Sequence, residues 1–235
     1  DVIQNIFKDN KNFCLIVHSP GGQLNPVEKI LNLIRRKFDR FVIVIPNAAK
    51  SAATMLALGS DEILMNKDSE IGPIDPQVPQ FTERGVPVLI PASSIINSIE
   101  YIKEKIKSGD PYQIYVPILA NIEPEWLDIA NRHIEAGKEI AKEWLSNNML
   151  KDNKELAYEI VEKLSSFKTH DKLISAVEAQ KMGLKIKILN DEDTLWKNIW
   201  EVYYRAELEM QQSNFAKLYE TTQSSVNQKI EIAKS

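Results

Sequence analysis

Phe41-Val42-Ile43-Val44-Ile45-Pro46-Asn47-Ala48-Ala49-Lys50-Ser51-Ala52-Ala53 is the stretch whose reading decides the fold. An apolar strand, Phe41 to Ile45, hands over to an apolar helix, and a lone hydroxyl sits among small residues at the handover. A serine on a tight strand-to-helix turn projects its Oγ clear of the sheet, and the first amides of the helix can stabilise an oxyanion beside it. The competing reading is that Ser51 is only a helix N-cap, a role serine favours. This segment alone leaves both open.

Working back, Phe13-Cys14-Leu15-Ile16-Val17-His18 reads as a buried strand that runs into Ser19-Pro20-Gly21-Gly22-Gln23. Two adjacent glycines after a strand expose backbone at a sheet edge, where their N–H groups can approach a carbonyl or phosphate closely. The segment lacks the Gly-Lys-Ser/Thr ending of a P-loop and the G-x-G-x-x-G spacing of a dinucleotide site, so nucleotide binding is not expected. Asn25-Pro26 caps and opens a helix predicted over Val27 to Phe38, with Val27, Ile30, Leu31 and Ile34 at helical spacing. Strand, glycines, helix, strand, serine, helix is a parallel arrangement. It puts the Gly-Gly turn and Ser51 at the same carboxyl edge of a sheet, where such folds bind ligands.

The chain has 235 residues, 43% of them hydrophobic, which is enough for one substantial core plus a helical extension. A net charge of −4 gives no basic stripe, and no stacked-aromatic motif is present, so nucleic acid is not an expected partner. The single cysteine, Cys14, excludes a disulfide framework and is expected in the core of a protein from a reducing compartment. No His/Cys/Asp/Glu cluster has metal-ligand spacing, so neither a metal nor a cofactor is expected. No apolar run reaches the length of a membrane span. The chain starts at Asp1 close to its first strand, and upstream sequence is expected.

Past Gly109 the sequence turns helical: 123–150, 154–165, 175–182 and 194 to about 212, with Trp196, Ile199, Trp200 and Tyr203 recurring at three- and four-residue spacing. A strand is expected at 186–189, a capping box at Ser175 and Glu178, and a polar tail or frayed helix from Thr221. These readings divide the chain into a domain over 1–190 and an extension over 191–235. The aromatic face of the last helix packs either on another subunit or back on the core.

Ser-Pro-Gly-Gly at 19–22, Lys-Ser-Ala-Ala at 50–53, Glu62-Ile63-Leu64-Met65 and Ser69-Glu70-Ile71-Gly72-Pro73-Ile74-Asp75-Pro76-Gln77 resemble the serine dehydrogenase proteinase family. That family is a signal peptide peptidase A-like branch of the Clp protease/crotonase superfamily. The resemblance covers roughly residues 10–190 and includes Ile174 to Leu184. It implies an α/β fold of repeated ββα units in a superhelix with a largely helical C-terminal extension. By the same resemblance Ser51 is the nucleophile of a serine endopeptidase that needs no ATP, and Gly22, or Gly21, and Ala52 supply the oxyanion-hole amides. The substrate is an extended or membrane-associated polypeptide, and a homo-oligomer is expected. An amino-terminal membrane anchor upstream, with this domain in the cytoplasm, is also implied.

The general base does not carry over directly. Clp-type proteases place a histidine where this chain has Asp75, and signal peptide peptidases place a lysine where it has Pro91-Ala92-Ser93-Ser94-Ile95. Lys103, Lys105 and Lys107 follow on a helix that Ser93 or Ser94 is expected to cap, and Lys107 is the lysine candidate; the alternative is a solvated face shared with Glu100 and Glu104. Of the three histidines, His18 ends the first strand beside the glycines, His133 lies on an amphipathic helix, and His170 is the candidate base or orienting residue. Two rival functions share this fold: a crotonase-like acyl-thioester enzyme and a non-catalytic oligomeric scaffold. The family name's dehydrogenase activity gets no support without a dinucleotide motif.

Overall fold

The computed structural model describes residues 11–81, 85–122, 124–167, 172–213, 215–220 and 225–229. In chain order the elements are β1 (Asn12–Ile16), α1 (Leu24–Lys37), β2 (Arg40–Ile45), β3 (Ala48–Ala49), α2 (Ala52–Leu58), β4 (Glu62–Met65) and β5 (Glu70–Ile71). Then come β6 (Gln77–Phe81), β7 (Pro87–Pro91), α3 (Ala92–Lys107), a 3-10 turn at Tyr112–Ile114, α4 (Val116–Leu119), α5 (Pro124–Asn147) and α6 (Lys154–Ser165). The chain continues through β8 (Ile174–Ser175), α7 (Ala176–Met182), β9 (Ile186–Ile188), α8 (Thr194–Ser213), β10 (Phe215–Glu220) and β11 (Ser225–Lys229).

β1, β2, β4 and β9 form a parallel sheet in that order. Its two faces follow from the period-2 alternation of a strand. Ile43, Ile45, Ile63 and Met65 enter the main core with Leu31, Ile34, Leu58, Leu145 and Ile160, while Val44 and Leu64 face the opposite side and meet Leu189, Trp196 and Ile199. Helix α8 therefore covers the second face with its own tryptophan, so the aromatic stripe packs back on the core through Trp196. Trp200 and Tyr203 continue it outward, with centroids 5.3 Å apart.

A second, three-stranded sheet orders β3, β5 and β8, with β3 parallel to β5 and β5 antiparallel to β8. Beyond it the β6–β7 hairpin, α3 and α5 share a small core of Val78, Ala92 and Ala130. Gly137 lets α5 close on the chain before this hairpin, since a Cβ there would sit 2.8 Å from Pro76 Cγ. Among the described residues no helix is long and apolar enough to cross a membrane, and no His/Cys/Asp/Glu group could hold a metal.

Several local expectations change. α1 begins at Leu24 without a side-chain cap, so Asn25 lies inside it and Pro26 occupies the first turn, where the missing N–H breaks no helical bond. Cys14 is exposed rather than core, because β1 is an edge strand that buries Phe13 and turns Cys14 outward. α3 begins at Ala92, so Ser93 is not its cap but part of its first turn. Part of the expected polar tail pairs as the antiparallel β10–β11 hairpin. The Ser175/Glu178 capping box forms as read.

Candidate active site

Ser51 stands where β3 meets α2, and its backbone is the one positive-φ non-glycine conformation among the described residues, at φ 51° and ψ −116°. A side chain in this region of φ/ψ space is strained, and surrounding structure must hold it there. The side chain makes no capping bond. Instead the 3%-exposed serine points its Oγ–H at the Asp75 carbonyl, 3.1 Å away. The N-cap reading fails on this geometry.

The hold on Ser51 comes from both sides. Lys50 N–H donates to Ser19 O at 3.0 Å and Ser19 N–H donates to Ala48 O at 3.0 Å, joining the two carboxyl-edge loops in a parallel bridge. Lys50 O accepts the Ala53 N–H at 2.9 Å, and Ser51 O accepts the Met55 N–H at 3.0 Å, which starts the helix. Behind the turn, Thr54 Oγ1 lies 2.8 Å from Ala49 O and 3.0 Å from Gly72 O. Lys50 Nζ pairs with Glu70 at 2.5 Å, both side chains under one-fifth exposed.

Gly21 and Gly22 lie against this elbow with φ of 110° and 157°. A Cβ on Gly21 would fall 2.8 Å from Lys50 O and 2.9 Å from Ser51 Cβ, so only glycine fits there, whereas the same position on Gly22 faces open space. The Gly21 N–H is already engaged, donating to Ser19 Oγ at 3.1 Å. Among the described residues no hydrogen bond runs from the Gly22 or Ala52 N–H. Two free amides and a buried hydroxyl thus share one edge of the sheet.

Asp75, whose carbonyl receives Ser51, is the only buried carboxylate among the described residues, at 5% exposure. Its oxygens accept the Ser93 Oγ–H at 2.6 Å and the Ser93 N–H at 3.2 Å. The stretch aligned with the signal-peptidase lysine is therefore next to the site but supplies a hydroxyl. Lys107 is not brought to Ser51. It is exposed at the opposite end of α3, 107 − 93 = 14 residues from Ser93, which is about 21 Å at 1.5 Å per residue. His170 lies outside the described residues. His133 is exposed on α5.

His18 does not join Ser51 by any hydrogen bond. Its Nδ1 lies 3.0 Å from Tyr203 Oη and 3.0 Å from Glu207 Oε1, and Asn47 Nδ2 donates to Tyr203 Oη at 3.3 Å. Burial pushes the Tyr203 hydroxyl above the ordinary phenol value, which keeps it protonated as a donor. Helix α8 thereby ties the end of β1 to the end of β2, a connection that sequence spacing alone did not reveal. Its only advance signal was the tyrosine one turn beyond the tryptophans.

Residues 2–219 match the family described as ClpP-like SDH-type serine proteinase. The chain belongs to that family. The mixed α/β fold with its parallel sheet agrees with that membership. Two uncharacterised proteins of Methanocaldococcus jannaschii are similar to it: MJ1495, 30% identical over 73% of the chain, and MJ0137, 29% identical over 75%. The chain spans about half the length of these curated relatives, 51% and 54% respectively. Among solved structures, a membrane-bound stomatin-specific protease with a substrate peptide aligns over 93% of this chain and 73% of its own, at 19% identity and a TM-score of 0.42. A second structure of that protease aligns over 87% and 70%, at 20% identity and a TM-score of 0.41.

Proposed function

We propose that this member of the ClpP-like serine proteinase family is an ATP-independent serine endopeptidase that cuts extended polypeptides. The observation that carries the reading is the Ser51 elbow: a buried hydroxyl on a strained, uncapped backbone with the Ala52 amide beside it. Ser51 Oγ attacks the scissile carbonyl, and the Gly22 and Ala52 N–H groups hold the tetrahedral oxyanion. Losing one such donor typically costs about 3 kcal/mol of transition-state stabilisation. Gly21 serves by close packing rather than as a donor.

His170 is the base in this reading, and Asp75 is the acid that orients it. Support comes from the register of the second sheet. Ile174 pairs antiparallel with Ile71, so the chain entering β8 approaches from the side of Gly72 to Asp75. A neutral His170 would take the Ser51 proton and pass it to the leaving amine. Lys107 is left to the exposed surface. Homo-oligomeric assembly, and anchoring of the full-length protein to a membrane, belong to the same proposal.

A fluorophosphonate probe tests the nucleophile. Labelling of the wild type at Ser51, lost in Ser51→Ala and slowed about a thousandfold in His170→Ala, is the expected result. No labelling of folded protein between pH 6 and 10 sinks the peptidase reading. Turnover of an acyl-coenzyme A that survives Ser51→Ala would replace it with a crotonase-like acyl-thioester enzyme.

A further inference from the structure

Of the residues Pro20, Gly21 and Gly22 in the turn that faces Ser51, only one has a backbone donor left for a substrate. Pro20 has no N–H. The Gly21 N–H is taken by Ser19 Oγ at 3.1 Å, and the same oxygen lies 3.4 Å from Gly21 O, so one hydroxyl spans both polar groups of Gly21. Of these three residues only Gly22 keeps a backbone donor with no protein acceptor among the described residues. Ser19 is itself immobilised, since its N–H and its carbonyl are both bonded to the strand that delivers Ser51, at Ala48 and Lys50.

We propose that Ser19 is the positioning residue of the oxyanion turn, its hydroxyl locking Gly21 so that the Gly22 N–H is aimed at the substrate carbonyl. The chain of contacts is short: β3 backbone to Ser19 backbone, Ser19 hydroxyl to Gly21 amide, Gly21 to Gly22. Two consecutive glycines at φ 110° and 157° have more conformational freedom than any other pair, and unrestrained they would sample orientations in which the Gly22 N–H misses the oxyanion. The hydroxyl removes that freedom before the substrate arrives, which is the preorganisation an oxyanion hole needs. Ser19 touches neither substrate nor reacting atoms, so its effect passes wholly through Gly22. The inference rests on reading Ser51 as the nucleophile.

The test compares wild type, Ser19→Ala and Ser19→Thr by peptide hydrolysis and by amide hydrogen exchange at Gly21. Alanine removes the acceptor, and threonine restores it. The expected result is a kcat about tenfold lower in Ser19→Ala with KM within about twofold, recovered in Ser19→Thr, because a misaimed donor weakens only transition-state binding. The Gly21 amide should exchange at least about tenfold faster in Ser19→Ala than in wild type. Wild-type kcat in Ser19→Ala, loss of kcat only in step with a lowered melting temperature, or equal Gly21 exchange in the two proteins would each overturn it. Should the wild type neither hydrolyse peptides nor label at Ser51, the peptidase reading falls, while the exchange arm still decides whether Ser19 holds the turn.

Discussion

The turn that carries Ser51 is held mainly by buried, uncharged hydrogen bonds, whereas helices α3, α5 and α6 are laced by ion pairs at their surface. Around the elbow, Ser51 to Asp75 O, Thr54 to Ala49 O, Ser60 to Ala57 O and Ser69 to Pro46 O are all buried side-chain-to-backbone contacts. On α3, α5 and α6 the polar contacts are Lys103–Glu100, Arg132–Asp128, Lys138–Glu135 and the pairing of Glu162 with Lys138 and Lys142. A hydrogen bond in a low-dielectric interior fixes direction and is costly to break, while an exposed pair contributes little and is screened by salt. The turn around Ser51 is held for direction, while the ion pairs on the helices add little beyond the core that Leu145, Ile160 and Leu164 share with the sheet. The sheet half also carries Arg35–Asp61, Arg40–Glu62 and, beside Ser51, the shielded pair Lys50–Glu70.

The largest effect expected from breaking this contrast is Gly21→Ala. The new methyl would meet Lys50 O at 2.8 Å and Ser51 Cβ at 2.9 Å on a backbone at φ 110°. Neither neighbour can yield without moving Ser51, so on the peptidase proposal kcat should fall by at least about a hundredfold, the loss seen when one oxyanion donor is removed. Lys107→Ala is the matched control on the helical half. As a surface change it should leave stability within about 0.5 kcal/mol of wild type, with hydrolysis and labelling unaltered. Equal damage by the two substitutions would erase the distinction between the halves.

Thr54→Val comes next. The side chain is fully buried and its hydroxyl bonds to the carbonyls of Ala49 and Gly72, joining the strand before Ser51 to the Gly72–Asp75 segment. Valine keeps the shape and removes the bond, so urea unfolding should show a loss of about 1–2 kcal/mol, insensitive to salt. Tyr203→Phe should be smaller. Removing the hydroxyl unties Asn47 from His18 at a cost of about 1 kcal/mol. A drop in kcat alongside would show that α8 steadies the edge that carries Ser51, and an unchanged kcat would confine it to covering the sheet.

This division explains what was legible in the sequence. Phe41–Ile45, Glu62–Met65 and the helix at 154–165 were readable because apolar period and local caps dictate them. Gly-Gly after one strand and serine after the next were readable as partners because a parallel sheet brings such loops to one edge. The role of Ser93 was not, because a serine at the start of a helix has the same local pattern whether it caps that helix or bonds a distant aspartate such as Asp75. Cys14 was misplaced because an edge strand and a central strand can share one apolar pattern. Lys107 looked eligible because spacing counts residues along a helix but not the direction in which the helix leaves the site.

The smallest predicted effect is also the one most specific to the helical half. Glu162 on α6 accepts from Lys142 at 2.5 Å and Lys138 at 3.2 Å on α5, and the Lys142 hydrogen bond foremost holds its carboxyl below the ordinary value. Because the folded-state pKa is depressed, the stability from this clamp is fully present above the unfolded carboxyl range and disappears as pH falls through the folded value. The carboxylate is half-exposed, so screening limits the clamp to about 0.5–1 kcal/mol. Glu162→Gln should therefore cost that much at neutral pH in low salt, less in molar salt, and progressively less as the pH falls below the unfolded carboxyl range. Hydrolysis at saturating substrate should not change. A Glu162→Gln penalty that persisted in molar salt would mean that the α5–α6 clamp behaves like the buried network around Ser51, and the two halves would then share one mode of stabilisation.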